Sequence, residues 1–262
     1  MEIVLSIAGS DPSAGAGIQQ DLKTITALGG YGATVITALT TQNTMGVQSV
    51  MPVPHSVVRS QLHAILSDLD VKAIKIGQIP NVEVAQAIVA ELSALEHIPP
   101  IVLDPVMIST SGHRLMSEES IAYICQNIFP LCTIITPNIP ETQTLQNQSG
   151  MPMSSDVGMA LAKLYNVAFL LKGGHAQGSQ MTDILYMPNG NTATYTSERI
   201  VSHNLHGTGC TLSSAIATFL AQDATLVEAI SKAKDVISSA IIRGKDLDIG
   251  KGNGPIWVDS LR

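Results

Sequence analysis

The sequence predicts an α/β fold: a mostly parallel sheet with helices on both faces. Short apolar runs recur at 3–8, 33–39, 71–76, 101–103, 133–135 and 167–171, and compact runs of that kind suit strands buried on both sides. Between most of them lie stretches with apolar residues spaced every 3.6 positions, long enough for crossover helices. The 262 residues are 45% hydrophobic and 13% charged, a composition that packs one sizeable core and does not stay disordered.

The first unit is a strand at 3–8, a loop of small residues at 9–17, and a helix with Ile18, Leu22, Ile25 and Leu28 on one face. Gly29-Gly30 closes it. The run 33–39 ends in polar Thr40-Thr41-Gln42-Asn43. Residues 47–53 suit an edge strand or a hairpin arm, because Pro52 and Pro54 limit ladder pairing. Helices are predicted near 56–67, with Val58, Leu62, Ile65 and Leu66, and near 82–95, with Val84, Ala85, Ile88, Val89, Leu92 and Leu95. Ser117 opens another, with Glu118 and Glu119 in its first turn, where acids suit the helix dipole. A short helix begins near Pro140 and another covers 156–165. Segments 184–187 and 192–200, joined by Pro188-Asn189-Gly190-Asn191, read as a local antiparallel excursion. The last long helix starts at Thr225-Leu226-Val227-Glu228, a capping-box pattern. No long linker, repeat or low-complexity segment divides the chain, so a single domain over 1–262 is expected.

The net charge is −7 and no basic cluster appears, which argues against a nucleic-acid partner. No apolar run reaches the roughly 18 residues that span a bilayer, so no membrane partner is expected. The N-terminal stretch lacks the positive region of a signal peptide. Cys125, Cys132 and Cys210 show no metal-ligand spacing, and with no signal peptide they point to a reducing, cytoplasmic setting.

The chemistry centres on His206-Gly207-Thr208-Gly209-Cys210-Thr211, which runs straight into a helix carrying Leu212, Ala215, Ile216, Phe219 and Leu220 on one face. First-turn amides and the helix dipole favour an anion there, and glycines admit it closely. A phosphoryl group is the natural occupant; a plain tight turn is the competing reading. In a parallel sheet, ligands lie beyond the C-terminal strand ends. Polar residues cluster there: Ser10-Asp11, Gln42-Asn43, Lys75, Asp104, Asn138, Glu141 and Lys172-Gly173-Gly174-His175. Asp104 suits a magnesium ligand or a turn acceptor. Asn138 and Glu141 suit either that chemistry or a helix cap. Neither a P-loop nor a dinucleotide fingerprint is present.

Taken together, Gly9-Ser10-Asp11-Pro12-Ser13-Ala14-Gly15-Ala16-Gly17, the following Ile18-Gln19-Gln20-Asp21-Leu22-Lys23, and His206–Thr211 resemble the hydroxymethylpyrimidine/phosphomethylpyrimidine kinases of the ribokinase-like superfamily. Further matching stretches are 37–43, 104–107, 136–138, 171–175 and 250–255, so the resemblance spans nearly the whole chain. It implies a three-layer α/β/α sandwich and two ATP- and Mg²⁺-dependent transfers. The first phosphorylates the hydroxymethyl oxygen of 4-amino-5-hydroxymethyl-2-methylpyrimidine, and the second extends that phosphate to the diphosphate used for thiamine. It also implies that Asp21 and Gln42 lie at the pyrimidine, with Val106 part of the pocket wall; Gln78 is expected beside them, as a substrate-pocket residue of this chain's own. Cys210 would orient or deprotonate the hydroxyl, as a thiolate stabilised at a helix start, while Gly207 and Gly209 hold the moving phosphoryl. Lys172, Thr208, Gly209 and Asn138 would face the nucleotide, Asp104 and Glu141 the metal, and 250–255 would close near the nucleotide. A homodimer is the assembly implied.

Two positions depart from the resembled pattern: Gln78 where Met is common, and Thr110 where Lys is common, with His113 or Arg114 nearby to compensate. Related pyridoxal kinases share the fold and are the nearest alternative function. A noncatalytic metabolite sensor is a more distant one, disfavoured by the intact acids and phosphate turn.

Overall fold

The computed structural model describes residues 1–107, 116–151, 156–173 and 179–259. Thr110, His113, Arg114, Gly174 and His175 lie outside the described residues. The described strands form one nine-stranded sheet in the order β3-β2-β1-β4-β5-β6-β7-β8-β9. They are β1 (Ile3–Ser10), β2 (Tyr31–Asn43), β3 (Gly46–Pro52), β4 (Val71–Ile76), β5 (Ile101–Leu103), β6 (Ile134–Ile135), β7 (Ala168–Leu171), β8 (Gln180–Tyr186) and β9 (Thr192–Glu198). From β2 across to β7 every neighbouring pair is parallel. The pairs β2–β3, β7–β8 and β8–β9 are antiparallel.

Each parallel strand divides its side chains between two apolar layers, as the two-residue strand period requires. Leu5, Ile7, Ile74, Ile76, Ile101, Leu103, Ile135 and Phe169 face one layer. That layer is closed by α2 (His55–Leu66), α3 (Val82–Ser93), α4 (Glu118–Asn127), α5 (Ile139–Gln148) and α6 (Val157–Tyr165). Val4, Ala73, Val102, Ile134, Ala168 and Leu170 face the other, covered by α1 (Gly17–Ala27), α7 (Thr208–Ala221) and α8 (Leu226–Gly244). The result is the three-layer α/β/α sandwich. No helix among the described residues is long and apolar enough to cross a membrane.

Three details differ from the periodicity. β2 runs on through Thr40-Thr41-Gln42-Asn43, because these polar residues form a hairpin arm with β3, with the register Thr40↔Val50 and Gln42↔Val47. β8 begins at Gln180, pairing with β9 where no apolar run marks it. A short 3₁₀ turn at Phe129–Leu131 follows α4.

Chain order reverses at β1, since β2 lies on one side and β4 on the other. The crevice of an open α/β sheet opens at such a reversal. Just below it, two positions on the α1/α7 side of the sheet are polar. Ser6 of β1 and Lys75 of β4 both turn to Asp21 of α1: Lys75 Nζ lies 2.9 and 2.8 Å from its two oxygens, and Ser6 Oγ donates to Oδ2 at 2.6 Å. Ser214 of α7 donates to Oδ1 at 2.7 Å. Both ion-pair side chains are wholly buried.

Burial by itself would lower the Lys75 ammonium, but the Asp21 carboxylate holds it above its ordinary value. Removing one partner leaves a buried charge uncompensated, at a cost of about 3–5 kcal/mol. Lys75→Met is therefore expected to lose that much stability in urea unfolding. Adding Asp21→Asn should restore most of it, and a double variant no more stable than the single one would refute the coupling.

Candidate active site

A cavity of about 590 Å³ opens along the C-terminal strand ends. Gly207 starts α7 with φ +88°, and a β-carbon there would stand 1.9 Å from the Gly15 carbonyl oxygen, so only glycine fits. Gly207 caps without a side chain, which leaves the first-turn amides unclaimed by one. Gln20 ties the turn to α1, its Nε2 donating to Thr211 Oγ1 at 2.9 Å.

Opposite stands an acid–lysine cluster. A β-carbon on Gly209 would lie 3.0 Å from Asp104 Oδ2 and 3.6 Å from Lys172 Nζ. Lys172 donates to Asp104 Oδ1 at 2.8 Å. Asn138 and Glu141 form a reciprocal capping box at the start of α5, with Asn138 N–H donating to Glu141 Oε2 at 2.8 Å. Lys172, Asp104 and the Met107 N–H also act on Glu141. Burial pushes the Glu141 carboxyl up to about 7; Lys172 opposes that and Asp104 adds to it. For Lys172, burial pulls the ammonium down, but Asp104 and Glu141 together keep it above its ordinary value.

Cys210 lines the same cavity. Burial pushes its thiol up to about 11, against the pull of Lys75, with Asp21 and Asp104 adding to the rise; the Gly17 N–H opposes. Dehydration and two nearby carboxylates thus work against the thiolate that a helix start would favour.

Among the expected substrate residues, Gln42, Gln78 and Val106 line the cavity. Asp21 does not; it lies beneath the wall with both oxygens engaged by Lys75, Ser6 and Ser214. Gln78 presents a buried amide nitrogen with no hydrogen-bond partner. Asn138, Lys172, Thr208 and Gly209 all face the cavity, although the Asn138 side-chain oxygen is taken by the cap. Segment 250–255 runs between the hairpin tip and the residue before the α7 turn. Lys251 and Gly252 donate to Thr44 Oγ1 at the β2–β3 tip, at 3.1 and 3.2 Å, and Pro255 bridges to His206.

The far wall was not foreseen. Arg199, Ile200, Leu205, Ile237 and Ile241 line it, and Lys234 closes on Asp183 at 2.7 Å while Gly173 N–H binds the other Asp183 oxygen at 2.8 Å. Periodicity marks these elements as scaffold. The only sequence sign was Lys234 within an otherwise apolar helix face.

The class that this fold and site define is the ribokinase-like kinases. A family model described as phosphomethylpyrimidine kinase matches residues 11–257. The hydroxymethylpyrimidine/phosphomethylpyrimidine kinase of Rhizobium meliloti (strain 1021) is 43% identical over 258 residues, covering 97% of this chain and 96% of that protein. The crystal structure of phosphomethylpyrimidine kinase from Clostridium difficile 630 superposes with a TM-score of 0.77 at 38% identity, covering 92% of this chain and 100% of that one. Bacillus subtilis pyridoxal kinase, solved as an ADP complex, gives a TM-score of 0.86 at 31% identity over 100% and 98% of the two chains. The chain belongs to the phosphomethylpyrimidine kinase family.

The raised Glu141 carboxyl has a measurable sign. In the unfolded chain it ionises near 4.5, and in the folded chain near 7. Its stabilising contribution is full below the lower value and is lost as pH rises through the higher one. Glu141→Gln stays neutral and keeps an acceptor for the capping box. Without metal it is expected to exceed the native chain by roughly 3 kcal/mol at pH 8 and to converge with it toward pH 5. Chemical unfolding at the two pH values checks this, and equal stabilities at pH 8 would refute it.

Proposed function

We propose that the chain transfers the γ-phosphoryl of ATP to the hydroxymethyl oxygen of 4-amino-5-hydroxymethyl-2-methylpyrimidine, then a second phosphoryl to the resulting monophosphate. The observation that carries this is Gly209, set between the anion-binding start of α7 and the Asp104–Lys172 pair. In the first transfer the hydroxyl oxygen forms a bond to phosphorus, the bond from phosphorus to the ADP oxygen breaks, and the hydroxyl proton passes to solvent water. Little covalent chemistry is left to the protein, so positioning and charge stabilisation dominate. The α7 amides from Gly207 to Cys210 would hold the moving phosphoryl, with Thr208, Lys172 and Asn138 toward the nucleotide phosphates.

Two carboxylates beside phosphate oxygens fit Mg²⁺, which takes few protein ligands and keeps water and phosphate for the rest. Asp104 and Glu141 would hold it, and its charge would offset that of the phosphates. Consistent with so open a site, the described residues contain no cluster of three His, Cys, Asp or Glu side chains fit for a metal.

The thiol pushed up to about 11 favours Cys210 as the group that orients the acceptor hydroxyl, over a resting base. Asp21 then acts through Lys75 and Ser214, while Gln42, Val106 and Gln78 meet the ring. Leu39, Met45 and Met51 stand exposed on the β2–β3 hairpin, apolar surface that a second copy would cover. Sedimentation is expected to give the mass of two chains, and a monomer at micromolar concentration would remove the homodimer.

The decisive assay offers ATP and Mg²⁺ with the hydroxymethylpyrimidine, its monophosphate or pyridoxal, and weighs the products. Both pyrimidine phosphates are expected. Turnover of pyridoxal with little pyrimidine diphosphate would replace this reading by a vitamin B6 kinase. Cys210→Ala should slow the first transfer by about 10²-fold or more and the second far less, because the second acceptor is a phosphate oxygen and not the hydroxyl that the thiol orients. Equal slowing of both steps would remove Cys210 from hydroxyl activation.

A further inference from the structure

His206 stands immediately before the anion-binding turn, and its position is held from several sides. Its N–H donates to the Gly254 carbonyl at 3.1 Å and its carbonyl accepts from Ile256 N–H at 3.2 Å. Its ring rests on Gly15, where a β-carbon would come 2.3 Å from Cδ2. One ring nitrogen, Nε2, then faces two side chains distant in sequence. Asp11 Oδ2 lies at 2.8 Å and the Gln42 amide terminus at 3.1 Å.

A ring nitrogen either donates a hydrogen or accepts one. Asp11 decides which. Its carboxylate already accepts from the N–H groups of Ser13, Gly15 and Ala16 and from the Ser13 hydroxyl, an arrangement for an ionised acid. Its remaining neighbour must donate, so Nε2 carries the hydrogen and gives it to Asp11. That one hydrogen lies between Asp11 and Gln42. With no lone pair left on the ring Nε2, an amide nitrogen in the Gln42 position would set donor against donor. The Gln42 terminus there fits as the carbonyl oxygen sharing the N–H, the amide turned over from the sense in which Gln42 Nε2 faces the imidazole.

The other end of the amide agrees. Thr40 has a single hydroxyl hydrogen and donates it to the Ser10 carbonyl at 2.9 Å. What it turns toward Gln42, 3.3 Å away, is lone pairs, and these call for the amide nitrogen. We propose that His206 is a positioning residue for substrate specificity: it fixes the sense of the Gln42 amide, oxygen on the imidazole and nitrogen toward Thr40 and the cavity. Gln42 thus meets the substrate ring as a hydrogen-bond donor, and the ring edge it selects is an unprotonated ring nitrogen, which an aminopyrimidine supplies. This rests on the reading that Gln42, a cavity-lining residue, faces the pyrimidine.

The test is steady-state kinetics with hydroxymethylpyrimidine and ATP varied in turn, on native protein, His206→Phe, His206→Asn, His206→Gln, Gln42→Ala and the Gln42→Ala/His206→Phe pair. Asn reaches only as far as the Nδ1 position, whereas Gln carries an N–H to the place of Nε2. His206→Phe and His206→Asn are expected to raise KM for the pyrimidine about tenfold or more. KM for ATP and kcat should stay within about threefold, and His206→Gln should stay close to native. Gln42→Ala should raise the same KM, and adding His206→Phe to it should change nothing further. Should Phe prevent folding, which ADP binding and the thermal midpoint report, the Asn and Gln variants carry the comparison. His206→Gln as impaired as His206→Asn, or losses that multiply in the double variant, would overturn the positioning role alone. A pyrimidine KM unmoved by Gln42→Ala would overturn both the proposal and the reading beneath it.

Discussion

The geometry of the site depends on a buried ion pair. Asp21 and Lys75 are both fully out of water, and two hydroxyls complete the carboxylate's hydrogen bonds. Such a pair contributes little net stability, because desolvation cancels most of the attraction. What it imposes is position. The four groups belong to β1, β4, α1 and α7, so their short, directional contacts hold the start of α7 against the point where the sheet reverses. The glycine-capped turn is built on that anchorage, and Gln20 to Thr211 adds a second tie between the same helices. Phosphoryl transfer gains from preorganised donors, and a polar knot in an apolar layer is one way to supply them.

The opposite wall is constrained by charge. Two carboxylates, Asp104 and Glu141, share one ammonium, Lys172, and burial raises the Glu141 carboxyl in spite of that ammonium. A phosphate placed between this wall and the α7 amides meets favourable dipoles on one side and excess negative charge on the other. A divalent cation held by the two acids would remove the conflict, and neutral Glu141 would remove only part of it. The same imbalance bears on Cys210, whose thiol Asp21 and Asp104 both help keep protonated.

Much of the sandwich was legible, because buried strands and crossover helices write their periods directly into the apolar pattern. The polar arm of β2 was not: Thr40 to Asn43 lie in a hairpin, where pairing with β3 replaces burial. The rim rule located Asp104, Glu141 and Lys172, since it depends only on where strands end. It says nothing of Asp21, which lies within a helix and was singled out only by the resemblance. Its spacing from Ile18, Ile25 and Leu28 puts Asp21 on the apolar stripe of α1, and an acid there with a lysine inside the apolar run of β4 is a readable sign of a buried pair. His206 could be read only as part of a turn, because its partners Asp11 and Gln42 are 195 and 164 residues away in sequence.

Specificity in such a site is a matter of hydrogens more than of backbone. The sheet, the α7 turn and the acid–lysine cluster serve any acceptor hydroxyl brought to the phosphoryl group. The ring end must discriminate through a few amide and hydroxyl groups whose donor or acceptor sense is set by their own neighbours. Thr40 has spent its one hydrogen on Ser10, and Asp11 accepts from His206, so Gln42 has one satisfied orientation. Gln78 lines the same cavity, its amide nitrogen buried and without a protein partner. A donor at the ring end would call for an acceptor on the ring, and an unmatched buried donor costs more than a matched one contributes. A pyrimidine has two ring nitrogens and a pyridine one, so on this reading the sense of the Gln42 amide would favour the first ring type while the phosphoryl-transfer frame stays the same.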